Sequence, residues 1–149
     1  MDTIQRQYRV IKQLEKETGI KLRMFQNKEK FYETNSCLID GSKNIIGLNL
    51  SGNLLGEIPE TIGNLEYLSI LFLSDNQLFS LPGSIGNLKR LRELYLERNN
   101  LTSLPESITG LKNLDTINLS GNPLSDPPLD VAEMGIDTIC EYFMNKEVA

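Results

Sequence analysis

Residues 45–128 say the same thing four times, with a period of 23 residues. That period constrains the fold more than anything else in the chain. Ile45, Leu68, Leu91 and Leu114 open the four copies. Three residues on stand Leu48, Leu71, Leu94 and Ile117, and five on Leu50, Leu73, Leu96 and Leu119. Eight on come Asn53, Asn76, Asn99 and Asn122; ten on, Leu55, Leu78, Leu101 and Leu124; fourteen on, Pro59, Pro82, Pro105 and Pro128. A unit this short cannot bury an apolar face by itself. Copies must stack so that each column of leucines continues through its neighbours.

Each column has its own physical task. The apolar residues at +3 and +5 alternate with polar ones, as a strand with one buried face demands. Stacked in register, such strands make a parallel sheet with rungs ~4.8 Å apart. The asparagines follow the strands, where the chain turns inward. There an amide can serve backbone groups of its own and the next repeat that would otherwise be buried unpaired. Asn53, Asn76, Asn99 and Asn122 therefore read as structural. The prolines fix φ and open a short outer segment, too short for a full helix and expected to be 3₁₀ or irregular. From it Ile62, Ile85, Ile108 and Val131, with Leu65, Leu88, Leu111 and Met134, point back inward.

A stack has two open ends, and the flanking residues suit them. Residues 3–18 carry Ile4, Tyr8, Ile11 and Leu14 at helical spacing, with Gly19 as a stop, which predicts a helix over the N-terminal end. Residues 20–30 read as a docked connector. Phe31 to Asp40 reads as a strand, and Asp40 to Asn44 as a turn into Ile45. That strand should pair antiparallel with the first repeat strand and close the sheet edge. At the other end Ile136, Ile139, Cys140 and Phe143 have helical spacing, which predicts a cap over 130–146, broken at Gly135. The reading is a single domain over 1–149, with caps at 1–44 and 129–149 around four repeats at 45–128.

Composition narrows the function classes. The chain has 149 residues, a net charge of -5 and no histidine. Neither Cys37 nor Cys140 has an imidazole to activate it, and both read as core residues. No phosphate-loop motif and no metal-ligand cluster occurs, so the expectation is no enzyme, no cofactor and no metal. The negative charge argues against nucleic acid. No apolar run approaches the ~20 residues of a membrane span, and the first residues lack a secretory signal. With two cysteines too far apart to bridge, this suggests a reduced, cytoplasmic monomer. Residues 1–44 hold nine Lys/Arg against six Asp/Glu, whereas residues 45–149 hold six against fourteen. Solvated faces account for both, with an acidic partner or membrane surface as the alternative for the basic part.

The stretches Leu81-Pro82-Gly83-Ser84-Ile85-Gly86-Asn87-Leu88 and Leu104-Pro105-Glu106-Ser107-Ile108 resemble the 23-residue, Leu-Pro type of leucine-rich repeat. Ras-suppressor-like proteins and many bacterial and archaeal repeat proteins carry it. Leu50 to Pro59 is similar to the plant type, and Asn122 to Phe143 resembles segments that close repeat arrays in Roco proteins. The resemblance implies an α/β fold: a short leucine-rich repeat solenoid with its parallel sheet on the concave face. It would carry an N-terminal helix plus β-hairpin cap and a C-terminal helical cap. The implied function is a protein–protein interaction module. Regulation of a small GTPase or phosphatase through the same face is the alternative.

Residues alternating with the buried leucines should face the concave side. Phe72 and Tyr95 stand on adjacent rungs, with Ile70 beside them and Asn49 and Asn118 flanking. Exposed aromatics on a rigid sheet are the residue types favoured in binding hot spots. Glu93, Glu97, Arg98 and Arg92 form a charged patch on the third repeat, and Arg98 could reach a phosphate. These are the candidate contacts to a protein partner of unknown identity.

Overall fold

The computed structural model describes residues 2–148. Six strands form one sheet in chain order. They are β1 (Arg23–Phe25), β2 (Ser36–Ile39), β3 (Ile45–Asn49), β4 (Ile70–Phe72), β5 (Glu93–Tyr95) and β6 (Thr116–Asn118). β3 to β6 run parallel, with Leu48, Leu71, Leu94 and Ile117 in register across the rungs. Behind the sheet lie 3₁₀ turns at Glu60–Asn64, Gly83–Asn87 and Glu106–Gly110, each entered from an extended proline. The stacked leucines and the inward isoleucines of these turns form one continuous core. This is the solenoid expected from the period.

Tight stacking of the turns limits what can sit in them. A Cβ on Gly86 would come within 2.4 Å of the Ser107 carbonyl oxygen on the next turn. Only a residue without a side chain lets these backbones approach so closely.

The N-terminal cap has more structure than its sequence suggested. α1 (Thr3–Thr18) starts on the Asp2 side chain, which accepts from the Gln5 amide at 2.8 Å, and stops at Gly19 with φ +76°. Its buried face is Gln7, Val10, Ile11 and Leu14, turned slightly from the expected stripe, so that Ile4 and Tyr8 are half-buried. The helix packs against the first 3₁₀ turn. The expected strand from Phe31 is shorter: α2 (Lys28–Phe31) precedes it, and β2 begins only at Ser36. β2 does pair antiparallel with β3. It is not the edge, however, because the supposed connector supplies β1, parallel to β2.

Gln7 is the residue that fastens this cap. Its Oε1 accepts from the Ile45 amide at 2.7 Å, and its Nε2 donates to Asn44 Oδ1 at 3.1 Å. The side chain is fully buried. Gln7→Ala should therefore strand the Ile45 amide and cost about 1–3 kcal/mol in urea unfolding. A cost below about 0.5 kcal/mol would mean that α1 is held by its apolar face alone.

At the far end, α3 (Leu129–Ala132) and α4 (Ile136–Val148) flank the break at Gly135, and α4 packs on the third 3₁₀ turn. Two expectations fail here. Met134 points outward and is 73% exposed, because the chain is already leaving the repeat path at Gly135. Cys140 is half-buried, since α4 turns Ile139 and Phe143 to the core instead.

Candidate functional site

The asparagine ladder positions the concave face. Asn76 Oδ1 accepts from the amides of Asn53 (3.0 Å) and Leu55 (2.9 Å), and its Nδ2 donates to the carbonyls of Leu50 and Leu73. Asn99 takes the Leu78 amide and gives to the Leu73 and Leu96 carbonyls; Asn122 does the same for Leu101, Leu96 and Leu119. Each amide thus serves its own repeat and the preceding one, whereas the sequence reading named the next. Asn53 has no earlier repeat to serve. It is half-buried and donates to Asn35 Oδ1 and the Leu50 carbonyl.

Just before each asparagine the backbone is left-handed: Gly52, Asp75, Arg98 and Gly121 have φ of 57–73°. Asp75 and Arg98 bear side chains there, and these meet. Arg98 Nη2 lies 2.8 Å from Asp75 Oδ2, and Nε binds the other carboxylate oxygen. The guanidinium holds the Asp75 carboxyl below the usual carboxylate range. Arg98 is committed to this pair, which weakens the idea that it reaches a phosphate. Arg92 is likewise paired, with Asp115 at 2.7 Å.

Phe72 and Tyr95 stack with centroids 4.7 Å apart and planes 17° apart. Both are half-buried. Sequence reasoning missed two further aromatics that join them from the N-terminal cap. Phe31 lies 5.6 Å from the Phe72 ring, and Tyr32, 58% exposed, lies 5.9 Å from it edge-on. The lone signal for them was their adjacency at the end of α2. The cap also corrects two candidate contacts. Ile70 packs under Phe31 with Leu38 and is buried. Asn49 is buried too, its Nδ2 donating to the Phe31 and Glu33 carbonyls. Phe31 fills the space over Gly47, so the first rung's concave face is closed.

Beyond Tyr95 the face is open. Asn118 stands on the next rung and turns its Oδ1 to the amide and hydroxyl of Ser120. Glu93 Oε1 accepts from the Tyr95 hydroxyl at 2.8 Å. Burial, then this hydrogen bond and the nearby carboxylates, push the Tyr95 phenol up to about 12. It is therefore a fixed donor at any physiological pH. Glu97 flanks Tyr95 on the other side, and its Oε2 is shielded from solvent without a hydrogen-bond partner. Away from this face, burial pushes the Cys37 thiol up to about 12 and also raises Cys140. Both are poor nucleophiles at neutral pH.

Comparison with known proteins agrees with the stacked rungs. A leucine-rich repeat family model matches residues 44–65 and 67–88, and a second one matches 79–124. The chain is a leucine-rich repeat protein. Among solved structures, this leucine-rich repeat chain is similar to the Leptospira interrogans LRR protein LIC12759, at 44% identity and a TM-score of 0.55. The match covers 57% of this chain and 22% of that one. It is also similar to the PEPR1–AtPEP1 crystal structure, at 33% identity and a TM-score of 0.54, covering 59% of this chain and 13% of that one. The leucine-rich repeat chain thus spans about a fifth or less of the length of these structures. No curated protein sequence matches it.

Proposed function

We propose that this leucine-rich repeat protein is a non-enzymatic recognition module holding a segment of a protein partner on its concave face, over Tyr95 and its neighbours. The observation that carries this reading is the half-exposed Phe72–Tyr95 stack on a hydrogen-bonded sheet, extended by the exposed ring of Tyr32. Buried aromatics pack in the core; aromatics left open on a rigid frame are the anchor type found at interface hot spots. The frame is already ordered, so little conformational entropy opposes binding.

Size sets the mode. With the first rung closed, three rungs at ~4.8 Å remain, a face of a few hundred Å². A stable globular interface takes roughly 800 Å² per partner. The occupant is therefore an extended segment, bound weakly and transiently.

The test is Tyr95→Ser, because Phe72 also supports Phe31 in the cap and its loss would mix folding with binding. Urea unfolding should change by about 1 kcal/mol or less. Capture of a partner from native lysate should fall by roughly thirtyfold, as for removal of a hot-spot aromatic. Equal capture by the folded variant would move the binding surface off this face.

A further inference from the structure

Resting on that reading, we infer that the partner segment presents a cationic side chain, arginine above all, which seats on Tyr95 between Glu93 and Glu97. Three observations converge on this chemistry. One face of the Tyr95 ring is covered by Phe72, and the opposite face turns toward the fourth rung, where the short Asn118 is folded back on Ser120. A third planar group can continue the stack there, and a guanidinium is the planar group that also carries charge.

The second observation is the state of the two carboxylates. Glu93 is held by the Tyr95 hydroxyl, so its position is fixed without being neutralised. Glu97 keeps one oxygen out of water with no donor to it. A cation on the ring beside it meets that charge through little intervening water, so their attraction is screened less than that of a fully exposed pair. The third is that, among the described residues, neither Glu93 nor Glu97 is in an ion pair. Arg98 feels the Glu97 charge but spends its guanidinium on Asp75, and Arg92 is paired with Asp115. With six Lys/Arg against fourteen Asp/Glu in residues 45–149, the surrounding field also favours a basic segment over an acidic one. Lysine satisfies the charge but not the stacking, which places it second.

The experiment is selection of displayed random 12-residue peptides on the full chain, followed by affinity measurement on three proteins: wild type, Tyr95→Ser and the double variant Glu93→Gln/Glu97→Gln. The glutamines keep shape and the acceptor for the Tyr95 hydroxyl, and unfolding curves verify that both variants are folded. Selected peptides are expected to share an arginine or lysine, and an arginine-bearing one should lose about tenfold in affinity on the double variant, the scale of losing a charge-assisted contact to a carboxylate. Replacing that arginine by norleucine should cost the wild type as much and the double variant little. Peptides that need Tyr95 but carry no cation and bind the double variant equally overturn the inference and leave the concave-face reading standing. Peptides indifferent to Tyr95→Ser overturn both. A selection that enriches nothing also counts against both.

Discussion

A chain lacking residues 1–40 is expected to self-associate through its first rung instead of merely melting earlier. The deleted segment buries Val10, Ile11, Leu14 and Phe31 against the repeats. Each such side chain contributes roughly 1.5–3 kcal/mol when removed from water. Together they rival the ~5–15 kcal/mol by which whole domains are stable. The deletion also removes both strands beyond β3, leaving its backbone groups unpaired and Leu48 and Leu50 facing solvent. Such an edge pairs with another chain. Sedimentation should show dimers or larger species. A folded monomer would mean that the repeats close their own end.

Asn76→Leu is expected to destabilise by about 3–5 kcal/mol despite adding apolar surface, the range reserved for broken buried networks. The amides of Asn53 and Leu55 lose their acceptor at once, and the carbonyls of Leu50 and Leu73 each lose one of two side-chain donors. The same change at Asn53 should cost less than half as much, since no amide donates to it and it is half-exposed to water. Equal unfolding midpoints for the two variants would show that the ladder is no more than packing.

That contrast explains what was legible in the sequence. Most of what the period sets could be read: the parallel rungs, the 3₁₀ turns after Pro59, Pro82 and Pro105, and the inward columns up to the fourth copy. There a short helix follows Pro128 and Met134 points out. Asn53 looked identical to Asn76 because identity in sequence hid their difference in neighbours. The turn from Asp40 to Asn44 announced the β2–β3 pairing, since five polar or small residues between apolar runs have few other uses. β1 could not be read. Its three residues show no alternation, and a strand that short is held by its partner and not by its own propensity.

The candidate face was half legible for a similar reason. Alternation correctly turned Phe72 and Tyr95 away from the leucines, as their half-buried state on the sheet surface shows. It said the same of Asn49 and Ile70, which are buried, because nothing local to those residues reveals that Phe31 folds across them. Burial by a distant segment leaves no mark on the residues it covers. Tyr32 was missed on the same account.

The stacked pair also bears on how such a chain can grow. Units that touch only their neighbours can be duplicated without remaking the rest. The array is closed to growth at its N-terminal end, where β2 runs against the direction of every rung after it. Between the second and third rungs, one more copy would double a separation of ~4.8 Å and part Phe72 from Tyr95. After the third rung a copy would leave that pair intact and lengthen the face toward the C-terminal cap. The length of this molecule is thus free to vary on one side of its aromatic pair and fixed on the other.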